Sequence, residues 1–409
     1  MTQLSLLDAV VDCYLDSENP IGNEALYHQV AAAMKVPTVE ASRKVPVGGS
    51  GKKHNLFHRQ VRWCQQTLKR QGLLTRISQA HWELHKHKRS KLRAIRASKQ
   101  VLAVSTDLGI CIWTRSRSIF KDMINEDVHL VLSSPPYPIR KPRAYGGVLA
   151  SDYTDFICAA LEPIIPKLAR GANIALNLSN DIFEPGLPAR STYLERLVIA
   201  LEDRLGLKLM ERHPWVSNKP PGPVKWASME RIHLNVAWEP VYWFCNDPLH
   251  TLADNRRVLR PHTLRHAEFV KSGGSKQTRS HGDGAHVQHV GSYSGQTAGS
   301  IPRNVLQFGN SCPSGRQVNA YARDNGLPTH GAKMPLSMPD FLIRWLSRPG
   351  DLVVDPFAGT MTTGEAAQMN GRRWLCLEMM LDYIQQGFVR FSRFQNAWFN
   401  PELMAVPKP

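Results

Sequence analysis

The sequence predicts an α/β fold with a parallel central sheet, preceded by a small α+β domain. His129 to Leu132 is a short apolar run that suits a buried strand, and it gives way at once to Ser134–Tyr137, which reads Ser-Pro-Pro-Tyr. Far downstream, Leu352 to Val354 forms a second apolar run that leads into a turn of small residues and then a helix, as in βαβ units. The pattern of residues 1–85 predicts the small domain.

Residues 1–85 have the pattern of three helices closed by a hairpin. Helical spacing of apolar residues predicts helices over Leu4–Leu15 and Asn23–Met34, then a polar loop over Pro37–Lys53, then a third helix of about sixteen residues. That third helix turns Phe57, Val61, Cys64 and Leu68 inward, and Leu73–Leu84 reads as a hairpin.

This domain resembles the N-terminal winged-helix domain of some restriction-modification proteins. Arg59 and Arg62 lie on the outer face of the third helix, so the resemblance implies that they contact DNA. A winged helix that binds protein is the alternative, because the fold alone does not fix the ligand.

The charge of the chain indicates a polyanionic partner. The formal net charge is +17; residues 1–100 contribute 17 Lys and Arg against 7 acids, and residues 251–305 contribute 8 against 3. Residues 86–100 form a basic linker that is either a solvated helix or a strap along phosphates. No apolar run approaches a membrane span and no signal peptide is evident, so we expect a cytoplasmic protein associated with the nucleoid.

The seven cysteines stand singly, so the sequence predicts neither a disulfide framework nor a zinc ribbon. His281, His286 and His289 surround Asp283, but their spacing matches no common metal site. We interpret this stretch as a glycine-rich loop that faces DNA, and we expect no metal.

The Ser-Pro-Pro-Tyr loop combines acceptors with an aromatic ring. Two prolines make a stiff turn whose carbonyls point outward, beside the hydroxyl of Ser134 and the ring of Tyr137. The loop resembles the catalytic motif of DNA methyltransferases that methylate exocyclic amines, and its serine is most similar to the N4-cytosine branch. The resemblance implies that Ser134, Pro135, Pro136 and Tyr137 hold a flipped-out base, with Tyr137 stacked on it.

The downstream motif resembles the S-adenosylmethionine site of the same family. Asp351–Gly364 supplies a strand, a small-residue turn and a helix, and the next strand ends at Glu378. Met361 departs from the pattern, because the family usually has glycine there. His330–Pro335 resembles the family's segment at the methionine end of the cofactor. The cofactor residues that the resemblance implies are His330, Lys333, Pro335, Asp355, Phe357, Ala358, Gly359, Thr360, Thr362 and Glu378.

The catalytic motif precedes the cofactor motif, which is the permuted order of the beta group of this family. The resemblance therefore implies a Rossmann-like methyltransferase domain formed by residues 101–250 and 330–398, with a target-recognition region at 251–329. Arg143 follows the catalytic loop, and Lys219 stands in an Asn-Lys-Pro element, so both are candidate DNA contacts. For Lys219, simple solvent exposure is the alternative.

The resemblance implies a sequence-specific enzyme that methylates N4 of cytosine in double-stranded DNA with S-adenosylmethionine. N6-adenine methylation is the alternative with the same fold, and methylation of RNA bases or of glutamine side chains usually goes with an Asn-Pro-Pro-Tyr loop placed after the cofactor motif. A DNA-binding regulator without activity is a further alternative, supported by Met361. C5 methylation would need a Pro-Cys nucleophile, and the chain has no Pro-Cys dipeptide. A cognate restriction endonuclease and the oligomeric state stay open.

Overall fold

The computed structural model describes residues 3–17, 19–46, 53–70, 74–84, 100–114, 119–120, 124–139, 148–218 and 222–404. Residues 86–99 of the basic linker, Arg143 and Lys219 lie outside the described residues. Within the described ranges, no helix is long and apolar enough to cross a membrane.

The N-terminal unit has a core of its own. Its elements are α1 (Gln3–Asp16), β1 (Ile21–Gly22), α2 (Asn23–Ala33), α3 (Thr38–Ser42), β2 (Lys44–Pro46), β3 (Lys53–Asn55), α4 (Leu56–Arg70), β4 (Leu74–Ser78) and β5 (His81–Leu84). The three long helices and the β4–β5 hairpin agree with the sequence pattern, and the predicted inner face of α4 is buried. Helix α3 and strand β2 lie within the stretch predicted as a loop, because their residues lack the regular apolar spacing that predicts such elements. Arg59 and Arg62 are exposed on α4.

The larger unit is built on a sheet to which ten strands contribute within the described residues. The strands of this unit are β6 (Val101–Ser105), β7 (Gly109–Trp113), β8 (Val128–Ser133), β9 (Leu168–Asn177), β10 (Lys208–Val216), β11 (Trp238–Cys245), β12 (Arg279–His281), β13 (His286–Gln288), β14 (Leu306–Gln307), β15 (Leu352–Asp355), β16 (Arg373–Glu378) and β17 (Trp398–Phe399). The sheet has the order β14-β10-β11-β9-β8-β15-β16-β7-β6-β17, while β12 and β13 pair with each other. Strands β9, β8, β15, β16 and β7 run parallel, which confirms the predicted α/β class.

Helices cover both faces of this sheet. They are α5 (Tyr153–Leu161), α6 (Tyr193–Leu205), α7 (Leu264–Lys271), α8 (Pro313–Asp324), α9 (Ser337–Leu346), α10 (Thr362–Met369), α11 (Leu381–Phe391) and α12 (Pro401–Met404). Val131 of β8 packs in one core with α5 and α6, and its neighbours Leu130 and Leu132 pack in the other with α9, α10 and α11. The central strands are buried on both faces, and for that reason their sequences are almost continuously apolar.

Two elements inside the predicted insert join the methyltransferase-like core. Leu306–Gln307 pairs in parallel with Trp215–Val216 at one end of the sheet, and helix α8 packs against α11. A two-residue strand leaves no periodic pattern in a sequence, which explains why β14 could not be predicted. The rest of the insert contains α7, the β12–β13 hairpin and irregular segments.

The carboxyl ends of the parallel strands meet at one edge of the sheet, which we call the carboxyl edge. Strands β8 and β15 are neighbours, and Val354 pairs with Val131, so Ser133 and Asp355 end side by side. Strand β9 ends there at Asn177, and β11, which runs in the opposite direction, begins there at Trp238. The two motifs, far apart in sequence, therefore leave the sheet from adjacent strands.

Candidate active site

The Ser-Pro-Pro-Tyr loop leaves β8 at the carboxyl edge, and its two hydroxyl groups converge on one amide. Ser134 Oγ lies 3.3 Å from Asn177 Oδ1, the Tyr137 hydroxyl lies 3.0 Å from the same oxygen, and the two hydroxyls are 3.1 Å apart. Asn177 is only 1% exposed, so its position is fixed by the sheet. Since an amide oxygen only accepts, each hydroxyl can satisfy it by donating, and the lone pairs of Ser134 then remain available for another donor.

A carboxylate completes this group. The Tyr137 hydroxyl also lies 3.4 Å from Oε2 of Glu239, the second residue of β11. Pro135 is buried and Pro136 is partly buried, and the fixed φ angles of the two prolines keep the loop in one shape. The candidate site residues predicted from the sequence do not include Asn177 or Glu239. Both are polar residues at the ends of apolar strands, which is the signal that could have identified them.

Asp355 links β8, the strand that precedes the Ser-Pro-Pro-Tyr loop, to the downstream motif. Its Oδ1 accepts hydrogen bonds from Ser133 Oγ at 2.6 Å and from the Phe357 amide at 3.1 Å, and its Oδ2 accepts from Thr363 Oγ1 at 2.6 Å. The residue is 2% exposed, and burial raises the pKa of its carboxyl to about 6. The carboxylate thus lies behind the downstream loop and fixes its path.

Glu378 anchors the same loop from the next strand. Its Oε2 accepts from the Gly359 amide and its Oε1 accepts from the Met380 amide, both at 2.7 Å. Burial raises the pKa of this carboxyl to about 7. A carboxylate has about four lone-pair sites, so Glu378 keeps capacity for a further donor.

The loop between Asp355 and α10 closely approaches His330. Gly359 has a positive φ of 53°, and a Cβ atom there would lie 3.2 Å from His330 Nε2. Phe357 packs against Phe156 of α5 with ring centroids 5.4 Å apart, and the Ala358 amide donates to the Leu377 carbonyl at 3.0 Å. The loop is therefore held on both sides, and position 359 requires a small residue.

Met361 takes the conformation that a glycine would take. Its φ is 58° and its ψ is 37°, in the left-handed region, which costs a non-glycine residue about 1–2 kcal/mol. Its side chain is fully buried against Gly387 of α11, and burial of a methionine contributes roughly 1.5–3 kcal/mol. The departure from the family pattern therefore leaves the path of the loop intact.

A buried ion pair supports Thr360. Arg390 donates to the Thr360 carbonyl at 2.6 Å and to Glu365 Oε2 at 2.6 Å, and it also donates to Ser314 of α8 at 2.7 Å. The side chain of Arg390 is fully buried and that of Glu365 is 1% exposed. Thr362 begins α10 and is also buried. The sequence does not predict Arg390 as a site residue, because a charged residue on an amphipathic helix is expected at the surface.

The three predicted cofactor residues of the His330–Pro335 segment have different surroundings. The ring of His330 packs edge-on against Tyr383 with centroids 4.4 Å apart, beside Gly359. Lys333 donates to Asn319 Oδ1 at 2.6 Å, and the Pro335 carbonyl accepts from the Met338 amide at 3.1 Å at the start of α9. The structure therefore brings His330 to the downstream loop, while Lys333 and Pro335 tie the segment to α8 and α9.

The predicted DNA contacts Arg143 and Lys219 lie outside the described residues. The neighbouring Asn218 accepts a hydrogen bond from the Asn310 amide at 3.0 Å, which joins the loops that follow β10 and β14. His281 and His286 face each other across the β12–β13 hairpin with ring centroids 5.9 Å apart. In the described part of the chain, no group of three or more His, Cys, Asp or Glu side chains is arranged to hold a metal.

Comparison with known proteins identifies the family of the chain. A family model described as DNA methylase, for the N6 and N4 type, matches residues 128–388, which is more than half of the chain. The chain belongs to the DNA methylase family. The matched region contains both motif loops, Asn177 and Glu239, and it excludes the N-terminal unit.

The methylase is similar to the type II methyltransferase M.PvuII of Proteus hauseri, with 30% identity over 71% of this chain and 85% of that relative. The solved structure of the PvuII DNA methyltransferase, described as cytosine-N4-specific, superposes with a TM-score of 0.56 and 27% identity over 71% of this chain and 89% of the other. The DNA adenine methyltransferase YhdJ of Escherichia coli K12 is 39% identical over only 15% of this chain and 21% of that relative.

The residues around Gly359 fit S-adenosylmethionine, the methyl donor of this family. Glu378 offers acceptor capacity for hydroxyl groups at the end of its strand. Gly359 lets the backbone come close to its surroundings, because a Cβ there would lie 3.2 Å from His330 Nε2. Phe357 within the loop and His330 beside Gly359 supply flat ring faces. The structure brings Phe357, Gly359, Glu378 and His330 together, with Asp355, Thr360 and Thr362 buried nearby; their role in cofactor binding stays a prediction.

The close fit of Met361 and Gly387 can be tested by Gly387→Ala. An added Cβ would lie 2.5 Å from Met361 Cε and 2.9 Å from the Thr360 carbonyl, so we expect destabilisation of about 1–3 kcal/mol and weaker cofactor binding. Alanine favours a helix over glycine, and an unstrained site would therefore become more stable. Thermal unfolding and calorimetric titration with S-adenosylmethionine measure both effects.

A control for the absence of a clash is Gly295→Ala, because Gly295 lies outside the helices and a Cβ there meets nothing within 4 Å. The double variant Met361→Gly, Gly387→Ala should recover part of the loss, since it removes the nearer clash. A Gly387→Ala protein as stable as the wild type would contradict this account of the loop.

Proposed function

We propose that this protein is a sequence-specific DNA methyltransferase that transfers a methyl group from S-adenosylmethionine to the N4 amine of cytosine in double-stranded DNA. The observation that carries the proposal is the convergence of Ser134 and Tyr137 on Asn177, next to the loop that Asp355 and Glu378 hold. The similarity to M.PvuII supports cytosine N4 as the target.

The catalytic loop acts by accepting hydrogen bonds. The exocyclic amine of cytosine is a poor nucleophile because its lone pair is delocalised into the ring. When Ser134 donates to Asn177, its oxygen can accept one amine hydrogen, and the Pro135 carbonyl is the second candidate acceptor. Acceptors on both hydrogens favour a pyramidal nitrogen with its lone pair exposed.

The nitrogen loses a proton as it gains the methyl group. The Ser134 hydroxyl lies 3.1 Å from that of Tyr137, which lies 3.4 Å from Glu239. When the two hydroxyls turn from Asn177 so that Ser134 donates to Tyr137 and Tyr137 donates to Glu239, a hydrogen-bonded route carries the proton from the base to the carboxylate. When bound, S-adenosylmethionine supplies the electrophilic methyl group. The residues of the chain contribute orientation and exclusion of water, and no covalent enzyme intermediate is needed.

The alternatives have less support. The relative described as an adenine methyltransferase matches 15% of the chain, whereas M.PvuII matches 71%. The inactive-regulator hypothesis depended on Met361, and that residue keeps the loop in the glycine-like path. The catalytic loop precedes the cofactor loop, the reverse of the order usual for methylation of RNA or glutamine.

The other regions have proposed roles in holding DNA. Exposed Arg59 and Arg62 on α4 suit phosphate contacts by a winged helix, and the basic segment 251–305 suits target recognition. Arg143 and Lys219 are proposed as further contacts. We propose a cytoplasmic, nucleoid-associated enzyme, and a cognate restriction endonuclease would fit a type II system like that of its relative.

Methylome sequencing that distinguishes modified nitrogens tests the reaction. DNA from cells expressing the protein should carry N4-methylcytosine within one short sequence, and DNA from cells expressing Ser134→Ala should lack it, because the amine acceptor is lost. N6-methyladenine in place of N4-methylcytosine would overturn the choice of base. Unmodified DNA beside a folded, expressed wild-type protein would overturn the proposed reaction.

The role of Asn177 is tested by comparing Asn177→Ala with Asn177→Asp. Aspartate keeps an acceptor oxygen for the hydroxyls of Ser134 and Tyr137, whereas alanine removes it. We expect kcat of the alanine variant to fall by roughly 10²-fold, with the aspartate variant well above it and cofactor affinity nearly unchanged in both. Equal rates in the two variants would show that the amide does not orient the loop.

A further inference from the structure

An unusual set of aliphatic side chains is exposed at the carboxyl edge. The segment between β10 and β11, residues 222–237, is called the apolar loop here. Its exposed members are Val224 at 62%, Met229 at 71%, Ile232 at 59% and Leu234 at 90%. Exposed apolar groups concentrated in one short segment commonly mark a binding surface.

The apolar loop is folded rather than extended. Trp226 is 8% exposed and packs near Phe183, and its carbonyl accepts from the amides of Ile232 at 2.8 Å and His233 at 3.0 Å. The His233 ring packs edge-on against Phe183 with centroids 5.2 Å apart, and its Nε2 lies 2.6 Å from the Pro188 carbonyl. The aromatic side chains therefore anchor the loop, while the aliphatic ones point into solvent.

The apolar loop is adjacent in sequence to Glu239, and it lies at the same edge of the sheet as Ser134 and Tyr137. It ends at Ala237, whose carbonyl accepts from the Ser217 amide at 3.2 Å and so closes the connection between β10 and β11. Two residues later, Glu239 lies within 3.4 Å of the Tyr137 hydroxyl. The aliphatic side chains thus belong to a segment that leads directly into the site of the target base.

The charge of this connection suits a nucleic acid. Residues 217–237 contain Lys219, Lys225 and Arg231 against the single acid Glu230. A surface that combines positive charge with aliphatic groups matches the two chemistries of an opened duplex, which are phosphates outside and unstacked bases inside.

We propose that the apolar loop enters the duplex beside the target cytosine and that its aliphatic side chains cover the bases left unstacked when the cytosine leaves the helix. This inference rests on the proposed function, because a base inside the stack cannot reach the methyl donor. Leu234, the most exposed member, is the leading candidate for the inserted side chain.

Leu234→Ser tests the inference with Leu249→Ser as a matched control. Leu249 is 92% exposed and lies in the turn Pro248–His250 after the end of β11, at the opposite edge of the sheet. Both changes replace an exposed leucine, so neither should affect folding. Single-turnover methylation is measured on a duplex with the recognition site and on the same duplex with an abasic site opposite the target cytosine.

We expect Leu234→Ser to slow methylation of the paired duplex about tenfold, the effect of losing one buried aliphatic contact. The abasic duplex, in which the cytosine is unpaired, should be methylated at nearly the wild-type rate, and Leu249→Ser should match the wild type on both. Wild-type rates for Leu234→Ser on the paired duplex, or an equal loss on both duplexes, would overturn the inference. A wild-type protein that methylates neither duplex would overturn the proposed function itself and this inference with it.

Discussion

The buried carboxylate of Asp355 is the interaction on which the rest of the site depends. It accepts from Ser133 at the end of β8 and from Thr363 in the first turn of α10, so a single side chain fixes the origins of both motif loops. A buried carboxylate without partners would cost several kcal/mol, and three donors offset that cost. The Ser133 donor is in place only when β8 and β15 are in register. Ser133 directly precedes Ser134, so this contact also positions the hydroxyl that we propose to be catalytic.

Other constraints act on the same loop from different directions. Glu378 holds the Gly359 amide, and the Arg390–Glu365 pair holds Thr360 from the side of α11. Met361 has a left-handed backbone conformation, and its side chain fills the space left by Gly387. The residue that departs from the family pattern therefore makes a packing contact. A loop fixed at successive residues can present a cofactor to the base without reorganisation, which is what methyl transfer by positioning requires.

The two motifs could be predicted because their signals are local. Consecutive prolines after an apolar strand, and a run of small residues between a strand and a helix, determine backbone shape within a few positions. The partners of these motifs could not be predicted in the same way. Asn177 meets Tyr137 only because β9 lies beside β8, and Glu239 joins them only because β11 runs antiparallel to β9. Such contacts depend on strand order, which the spacing of residues in one segment does not encode.

The same distinction explains the remaining differences. Strand β14 has two residues and joins the sheet through pairing with β10, so its sequence has no periodicity of its own. Arg390 lies on an amphipathic helix and would be placed at the surface by its charge, but Glu365 and Ser314 provide buried partners from distant segments. Local sequence patterns thus predict candidate functional residues, and the tertiary fold determines which of them come into contact.

The most direct test of the coupling through Asp355 is to measure the affinity for S-adenosylmethionine of Ser133→Ala and of Ser134→Ala by calorimetric titration. Ser133 is fully buried, and its side-chain link to the proposed cofactor loop runs through Asp355. Loss of a hydrogen bond to a charged group is worth about 1.5–3 kcal/mol, so Ser133→Ala should bind the cofactor at least tenfold more weakly, while Ser134→Ala should bind it as the wild type does. Wild-type affinity in a folded Ser133→Ala protein would contradict the claim that Asp355 couples the two loops.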